Sequence, residues 1–198
     1  MRDLLVATNN AGKLAEFRRL LADLPVHVLG PAEIGLELNV PEPHMSYAEN
    51  ARDKAIAFCM ASGLLTLADD SGIEVAALDW GPGPRSARWG GTTSGDNAGI
   101  LLERLTGVSD RRARMVCWLA LAELTPDDPS VQVFSGTVEG AVATERRGDN
   151  GFGYDPIFEL PSGLTTAQLA PEEKDRVSHR GRAVAAAGDA IRSLAASP

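Results

Sequence analysis

The stretch Gly63-Leu64-Leu65-Thr66-Leu67-Ala68-Asp69-Asp70-Ser71-Gly72 decides how the rest of this chain is read. An apolar run leading straight into two carboxylates predicts a buried strand that ends at a polar crevice. In open α/β sheets, ligands bind in the crevice outside the carboxyl ends of the strands. Two neighbouring carboxylates there are costly to bury unless a cation or a proton compensates them. The same residues also suit a strand-to-turn junction, because Asp, Ser and Gly are common turn residues. The choice falls to the segments on either side.

Upstream, Leu4-Leu5-Val6-Ala7 predicts a first strand buried on both faces. After a polar loop, Leu14, Phe17, Leu21 and Leu24 recur at helical spacing up to Pro25. Val26-His27-Val28-Leu29 predicts a second short strand, and an irregular, proline-bearing connection runs from Pro31 to Pro43. Ser46-Tyr47-Ala48-Glu49 fits a capping box and opens a helix that runs to Gly63, a natural residue for the turn past a helix end. Downstream, residues 79 to 95 are dense in Gly, Pro, Ser and Thr and predict a long loop. A helix follows from about Asp96 to Thr106, stopped by Gly107. Arg114 to Leu124 suits a helix by its alanines and leucines but a strand by Val116-Cys117-Trp118-Leu119, and periodicity does not separate the two. Val131 to Val142 predicts one or two strands joined around Gly136 to Gly140, and an alanine-rich helix follows Ser178. Alternating helices and strands predict an α/β fold with a mixed sheet, in one domain over residues 1–198.

With 198 residues, 44% of them hydrophobic, the chain can bury one sizeable core. A formal net charge of −8 argues against a broad nucleic-acid surface, so an anionic ligand needs a local positive pocket. Cys59 and Cys117 each sit in an apolar segment and form no CxxC pair, as expected of buried thiols in a reducing compartment. The apolar stretch near Met1 is too short for a signal peptide, and no run approaches the roughly 18 apolar residues of a membrane span. The expectation is a cytoplasmic protein with neither membrane nor nucleic acid as partner.

Thr8-Asn9-Asn10-Ala11-Gly12-Lys13 joins the first strand to a helix N-terminus. Exposed N–H groups and the helix dipole favour an anion such as phosphate there, and Lys13 adds a point charge. It resembles a Walker loop only loosely, since Ala7 replaces the first glycine and Leu14 stands where Ser or Thr should bind Mg²⁺. The other reading is an ordinary strand-to-helix turn. Asp149-Asn150-Gly151-Phe152-Gly153-Tyr154-Asp155-Pro156 is a second glycine-bracketed loop, whose aromatics can stack a nucleobase while Asp155 accepts a base N–H. Read blandly, it is a turn with two buried aromatics. In Lys174-Asp175-Arg176-Val177-Ser178-His179-Arg180, a Ser178 cap would put His179 and Arg180 in the first turn of the last helix. Positive side chains are electrostatically wrong there unless an anion is expected, and such a conflict points to a functional site. Glu172, Glu173 and Asp175 read equally as solvated charge, and His27 and His44 as structural histidines. The sum suggests a nucleotide enzyme using Mg²⁺.

With these segments in hand, the chain resembles the inosine/xanthosine triphosphate pyrophosphatase family, the noncanonical purine NTP pyrophosphatases. The resemblance covers essentially the whole length. It is carried in order by Thr8 to Lys13, Ser46-Tyr47-Ala48-Glu49-Asn50-Ala51, Ala68-Asp69-Asp70-Ser71-Gly72, Pro82-Gly83 with Ser86-Ala87-Arg88, Gly151 to Pro156, and Ser178-His179-Arg180-Gly181. The resemblance implies an elongated α/β fold with a central mixed sheet flanked by helices, two lobes with a nucleotide-binding cleft between them, and a homodimer. It implies hydrolysis of dITP, ITP or XTP to monophosphate and pyrophosphate. By the same carry-over, Asp70 is the proton acceptor and a Mg²⁺ ligand, Glu42 is the second metal carboxylate, and Asp69 supports the site. Thr8, Asn9, Asn10, Ala11, Gly12, Lys13 and Ser71 would hold phosphates. Phe152, Gly153, Tyr154 and Asp155, with Lys174, His179 and Arg180, would hold the base and the rest of the substrate. One departure bears on Glu42: the family usually has Gly two residues after it, and here Pro43-His44 follows. A pyrimidine-directed pyrophosphatase of the related Maf type is the nearest rival, and a nucleotide sensor without turnover the rival of a different class.

Overall fold

The computed structural model describes residues 1–91 and 96–196. The chain runs β1 (Arg2–Val6), α1 (Ala11–Leu20), β2 (Val26–Leu29), α2 (Tyr47–Ser62), β3 (Leu65–Val75) and β4 (Gly81–Pro82). It continues through α3 (Asn97–Arg104), β5 (Arg112–Glu123), β6 (Ser130–Val142), β7 (Phe158–Glu159), α4 (Pro171–Val177) and α5 (His179–Ala196). Among the described residues these strands form one seven-stranded sheet in the order β2-β1-β3-β5-β6-β7, with β4 on β3. β1 is parallel to β2 and β3, whereas β3–β4 and β6–β7 are antiparallel. The fold is therefore α/β with a mixed sheet. Among the described residues no helix is long and apolar enough to cross a membrane.

Two compact units partition the chain. The first takes Met1–Asp70, Cys117–Gly136 and the residues from Arg180 onward; the second takes Ser71–Val116 and Thr137–His179. In the first, alternate residues of β1, β3 and β5 face opposite ways, as the two-residue strand period requires. Leu4, Val6, Leu65, Leu67, Cys117, Leu119 and Leu121 pack with Phe17 and Leu21 and with Ala183, Ala187 and Ile191 of α5. Leu5, Ala68, Ala120 and Ala122 pack with Ala51, Ala55 and Phe58 of α2. Central strands covered on both faces explain why they read as continuous apolar runs. The core of the second unit is built from Ile73, Val75, Leu101, Leu105, Met115, Val138, Ile157 and Phe158.

Helix ends follow local chemistry. Asn10 Oδ1 accepts the Lys13 amide at 3.0 Å to start α1, and Ser46 Oγ accepts the Glu49 amide at 3.3 Å to start α2. Gly63 ends α2 at φ 73°, in the left-handed region. Strands diverge more from the sequence reading. β3 does not end at the aspartates but runs 11 residues through both. Ile73 and Val75, buried in the second unit, give it a further apolar register beyond the polar pair. The ambiguous segment is the strand β5, because sheet pairing along its length outweighs the few tenths of a kcal/mol per residue by which alanine and leucine favour helix. β6 is one strand, passing straight through Gly136 and Gly140. A Cβ on Gly140 would run into the Glu159 carbonyl, so this glycine admits β7 alongside. Part of the predicted 79–95 loop is ordered as short turns around β4, and residues 92–95 lie outside the described residues.

Candidate active site

Because β3 runs through Asp69 and Asp70, the two carboxylates project to opposite faces of the sheet. They do not form one acidic pair. Asp69 follows Leu65 and Leu67 toward α1 and α5, where Lys13 Nζ lies 2.9 Å and Arg180 Nη2 3.4 Å from Asp69 Oδ2. Arg180 also pairs with Glu16 of α1. Burial acts against the charge on Asp69, but Lys13 first, then Arg180 and Lys54, outweigh it and hold the carboxyl far below the usual carboxylate range. Asp69 is thus ionised at neutral pH and neutralised by its neighbouring cations.

Asp70 faces α2. Asn50 Nδ2 donates to Asp70 Oδ2 at 2.8 Å. Burial pushes the Asp70 pKa up to about 6; the Asn50 bond opposes this, Glu42 adds to it, and Lys54 and Lys13 oppose it. Lys54 forms an ion pair with Glu42 and lies close enough to Asp69 and Asp70 for both charges to raise its own pKa against burial. Asp70 and Glu42 therefore share a neighbourhood in which Lys54 is the nearby cation. Among the described residues no group of three or more His, Cys, Asp and Glu converges as a closed metal cage. Two carboxylates fit Mg²⁺, which is commonly held by one or two of them together with substrate phosphates.

The loop before α1 is braced from within. Asn10 N–H donates to Thr8 Oγ1 at 3.2 Å, and Asn9 Nδ2 donates to the Leu38 carbonyl at 3.4 Å. No acidic residue occupies the first turn of α1, so apart from the Lys13 amide, which Asn10 caps, its N-terminus and dipole favour an anion. Asn9, Asn10 and Ala11 are exposed, and Thr8, Gly12 and Lys13 half-buried. Lys13 joins this loop to Asp69, so one side chain links the helix N-terminus to the strand.

In the second unit, Ser71 is half-buried directly after Asp70. Gly151 and Gly153 turn the aromatic loop at φ 76° and 62°. Phe152 is half-buried, with Lys174 Nζ 5.2 Å from its ring centroid. Three of the expected base-binding residues have partners within the protein. Asp155 was expected to accept a base N–H, yet it is 3% exposed and accepts from Lys174 Nζ at 2.5 Å, Thr166 Oγ1 at 2.9 Å and the Phe152 amide at 2.8 Å. Its carboxylate closes its own loop, and a Cβ on Gly151 would collide with it. Tyr154 is buried and donates to the Ser86 carbonyl at 2.8 Å, so its hydroxyl anchors the loop. Likewise Arg180, expected among the base donors, is 2% exposed and holds Glu16 and Asp69 in the first unit. His179, in the first turn of α5, is buried, as is Lys174.

Sequence reasoning missed Glu16, Asn50 and Lys54. The last two carry a legible signal: they lie four apart, on neighbouring turns of the helix that buries Ala51 and Ala55. Polar side chains at that spacing on a covered helix mark a site. His44 and His27 are braced by Asp53 and Asp3, each at 2.9 Å. Burial raises the pKa of both thiols, Cys117 to about 12.

A parallel strand feeding a cation-bearing helix N-terminus, beside a carboxylate held ready to ionise, is an arrangement suited to a phosphate chain. The chain belongs to the Ham1 family, whose model matches residues 4–190. It is 46% identical over 188 residues to the dITP/XTP pyrophosphatase of Nitrosomonas europaea, covering 93% of this chain and 92% of that one. Against the dITP/XTP pyrophosphatase of Chromobacterium violaceum the identity is 45% over 195 residues, covering 97% and 98%. Among solved structures, a HAM1 protein from Coxiella burnetii superposes with a TM-score of 0.85 at 38% identity, covering 98% of this chain and all (100%) of that one.

Proposed function

We propose that this protein hydrolyses noncanonical purine nucleoside triphosphates (dITP, ITP and XTP) to the monophosphate and pyrophosphate. The observation that carries this is the opposite fate of adjacent aspartates. Asp69 is neutralised by Lys13 and Arg180, whereas Asp70 keeps a pKa of about 6. Near neutral pH Asp70 is ionised, so it can orient an attacking water and receive its proton as the transition state forms. In this reading Asp70 and Glu42 hold Mg²⁺, which supplies neutralisation of phosphate charge when bound. The α1 N-terminus, from Thr8 to Lys13, and Ser71 orient the phosphates, and Lys54 adds a cation beside Glu42. Relatives bearing the name dITP/XTP pyrophosphatase support the substrate class.

Base choice rests in this reading on Phe152, Gly153, Lys174 and His179. A donor placed at the 6-oxo group of hypoxanthine or xanthine meets an amino group in adenine, so donor faces donor and a buried polar group stays unpaired. A pyrimidine-directed or non-catalytic reading has no observation in its favour. A cytoplasmic homodimer over the single domain 1–198 completes the proposal, tested by fractionation and by light scattering. The test of function is a nucleotide panel assayed for products. dITP, ITP and XTP should give monophosphate and pyrophosphate with Mg²⁺, and ATP, CTP and UTP far less. Orthophosphate plus a diphosphate would place the cut at another bond and sink the reading.

A further inference from the structure

Glu42 lies in a stretch without helix or strand, between the short turn Pro31–Ile34 and the start of α2. Regular secondary structure therefore does not set its place. Asn50, on the first turn of α2 and with 0% of its surface exposed, reaches both this stretch and β3. Its Oδ1 accepts the His44 amide at 3.0 Å, and its Nδ2 donates to the His44 carbonyl at 3.0 Å. The same Nδ2 donates to Asp70 Oδ2 at 2.8 Å.

We propose that Asn50 is a positioning residue that sets the spacing of Glu42 and Asp70, by tying the backbone two residues after Glu42 and the Asp70 carboxylate to one planar amide. The inference rests on the reading of Glu42 and Asp70 as the metal pair. The three bonds require this side chain: one partner is a donor and two are acceptors, so the group must accept at one end and donate twice at the other. Asparagine does both; aspartate at the same place would set a carboxylate against Asp70 and a carbonyl. The His44 backbone is held from both its N–H and its carbonyl, while its ring turns to Asp53.

Asn50→Ala tests this. Groups that orient metal ligands cost roughly 10–100-fold in affinity or activity when removed. In the folded variant, kcat for dITP should fall at least about 10-fold and the Mg²⁺ concentration for half-maximal rate rise by a similar factor, with KM at saturating Mg²⁺ within about threefold. A merely structural asparagine would lower Tm and leave the Mg²⁺ requirement of the folded fraction alone; that result overturns the proposal. A second measurement needs no variant. In metal-free wild-type protein the His44 amide should exchange with solvent as slowly as amides inside α2, and exchange at open-loop rates overturns the clamp. Wild-type protein that turns over no nucleotide while His44 stays protected would instead fault the functional reading.

Discussion

Aspartates 69 and 70 are neighbours in sequence with opposite electrostatics, and substitutions separate them. Asp70→Asn keeps the side chain's size and its bond from Asn50 but removes the proton acceptor, so turnover should fall about 10²-fold or more. The folded pKa of about 6 lies above the ordinary 3.8, so ionising Asp70 in metal-free protein costs on the order of 3 kcal/mol. That cost is absent below about pH 4 and complete above about pH 6, so Asp70→Asn should raise Tm at pH 8 and leave it unchanged at pH 4. Thermal melts at both pH values check the sign. Arg180→Ala takes from buried Glu16 its ion-pair partner and from Asp69 one of its ion-pair cations, and breaking such a buried pair costs about 3–5 kcal/mol. Since its described ion pairs are with carboxylates of the first unit, dITP and dATP hydrolysis should fall together. A selective loss on dITP would return Arg180 to the base.

Elements are held by local chemistry that two substitutions can probe. Ser46→Ala removes the cap of α2, the helix that carries Asn50 and Lys54, and should cost about 1 kcal/mol in urea unfolding. Gly140→Ala sets a methyl against the Glu159 carbonyl, which cannot retreat without moving β7. The expected loss is about 1–3 kcal/mol, the usual scale of overpacking, and wild-type stability would show that β7 gives way freely. The α2 boundaries were legible because Ser46 and Gly63 act through bonds within a few residues. β5 was not, since its neighbour β3 lies well back along the chain and residue type alone does not reveal that pairing.

At the scale of the whole molecule, the two aspartates pull the pH profile in opposite directions. The depressed pKa of Asp69 contributes stability above about pH 4 that is lost on further acidification, whereas the raised pKa of Asp70 contributes stability below about pH 4 that is lost as pH rises through 6. From these two groups, metal-free protein should be most stable around pH 4. Mg²⁺ bound to the native state should restore Tm at pH 8 by mass action, and EDTA should reverse it. Melting curves across pH, with and without Mg²⁺, give the answer; a Tm at pH 8 indifferent to Mg²⁺ counts against the Glu42–Asp70 pair.

By itself the sequence determined the buried strands, the capped helices, the cation-bearing loop before α1 and the carboxylates that follow an apolar run. These depend on residue type and short spacing, which act through neighbours. Only the tertiary structure decided that β3 continues past Asp70, and with it that Asp69 and Asp70 face opposite ways. It alone closed Asp155 onto Lys174, set Arg180 between Glu16 and Asp69, and tied His44 to Asp70 through Asn50. Partners separated by up to 164 residues meet there, and a charge takes its pKa from whatever surrounds it in space.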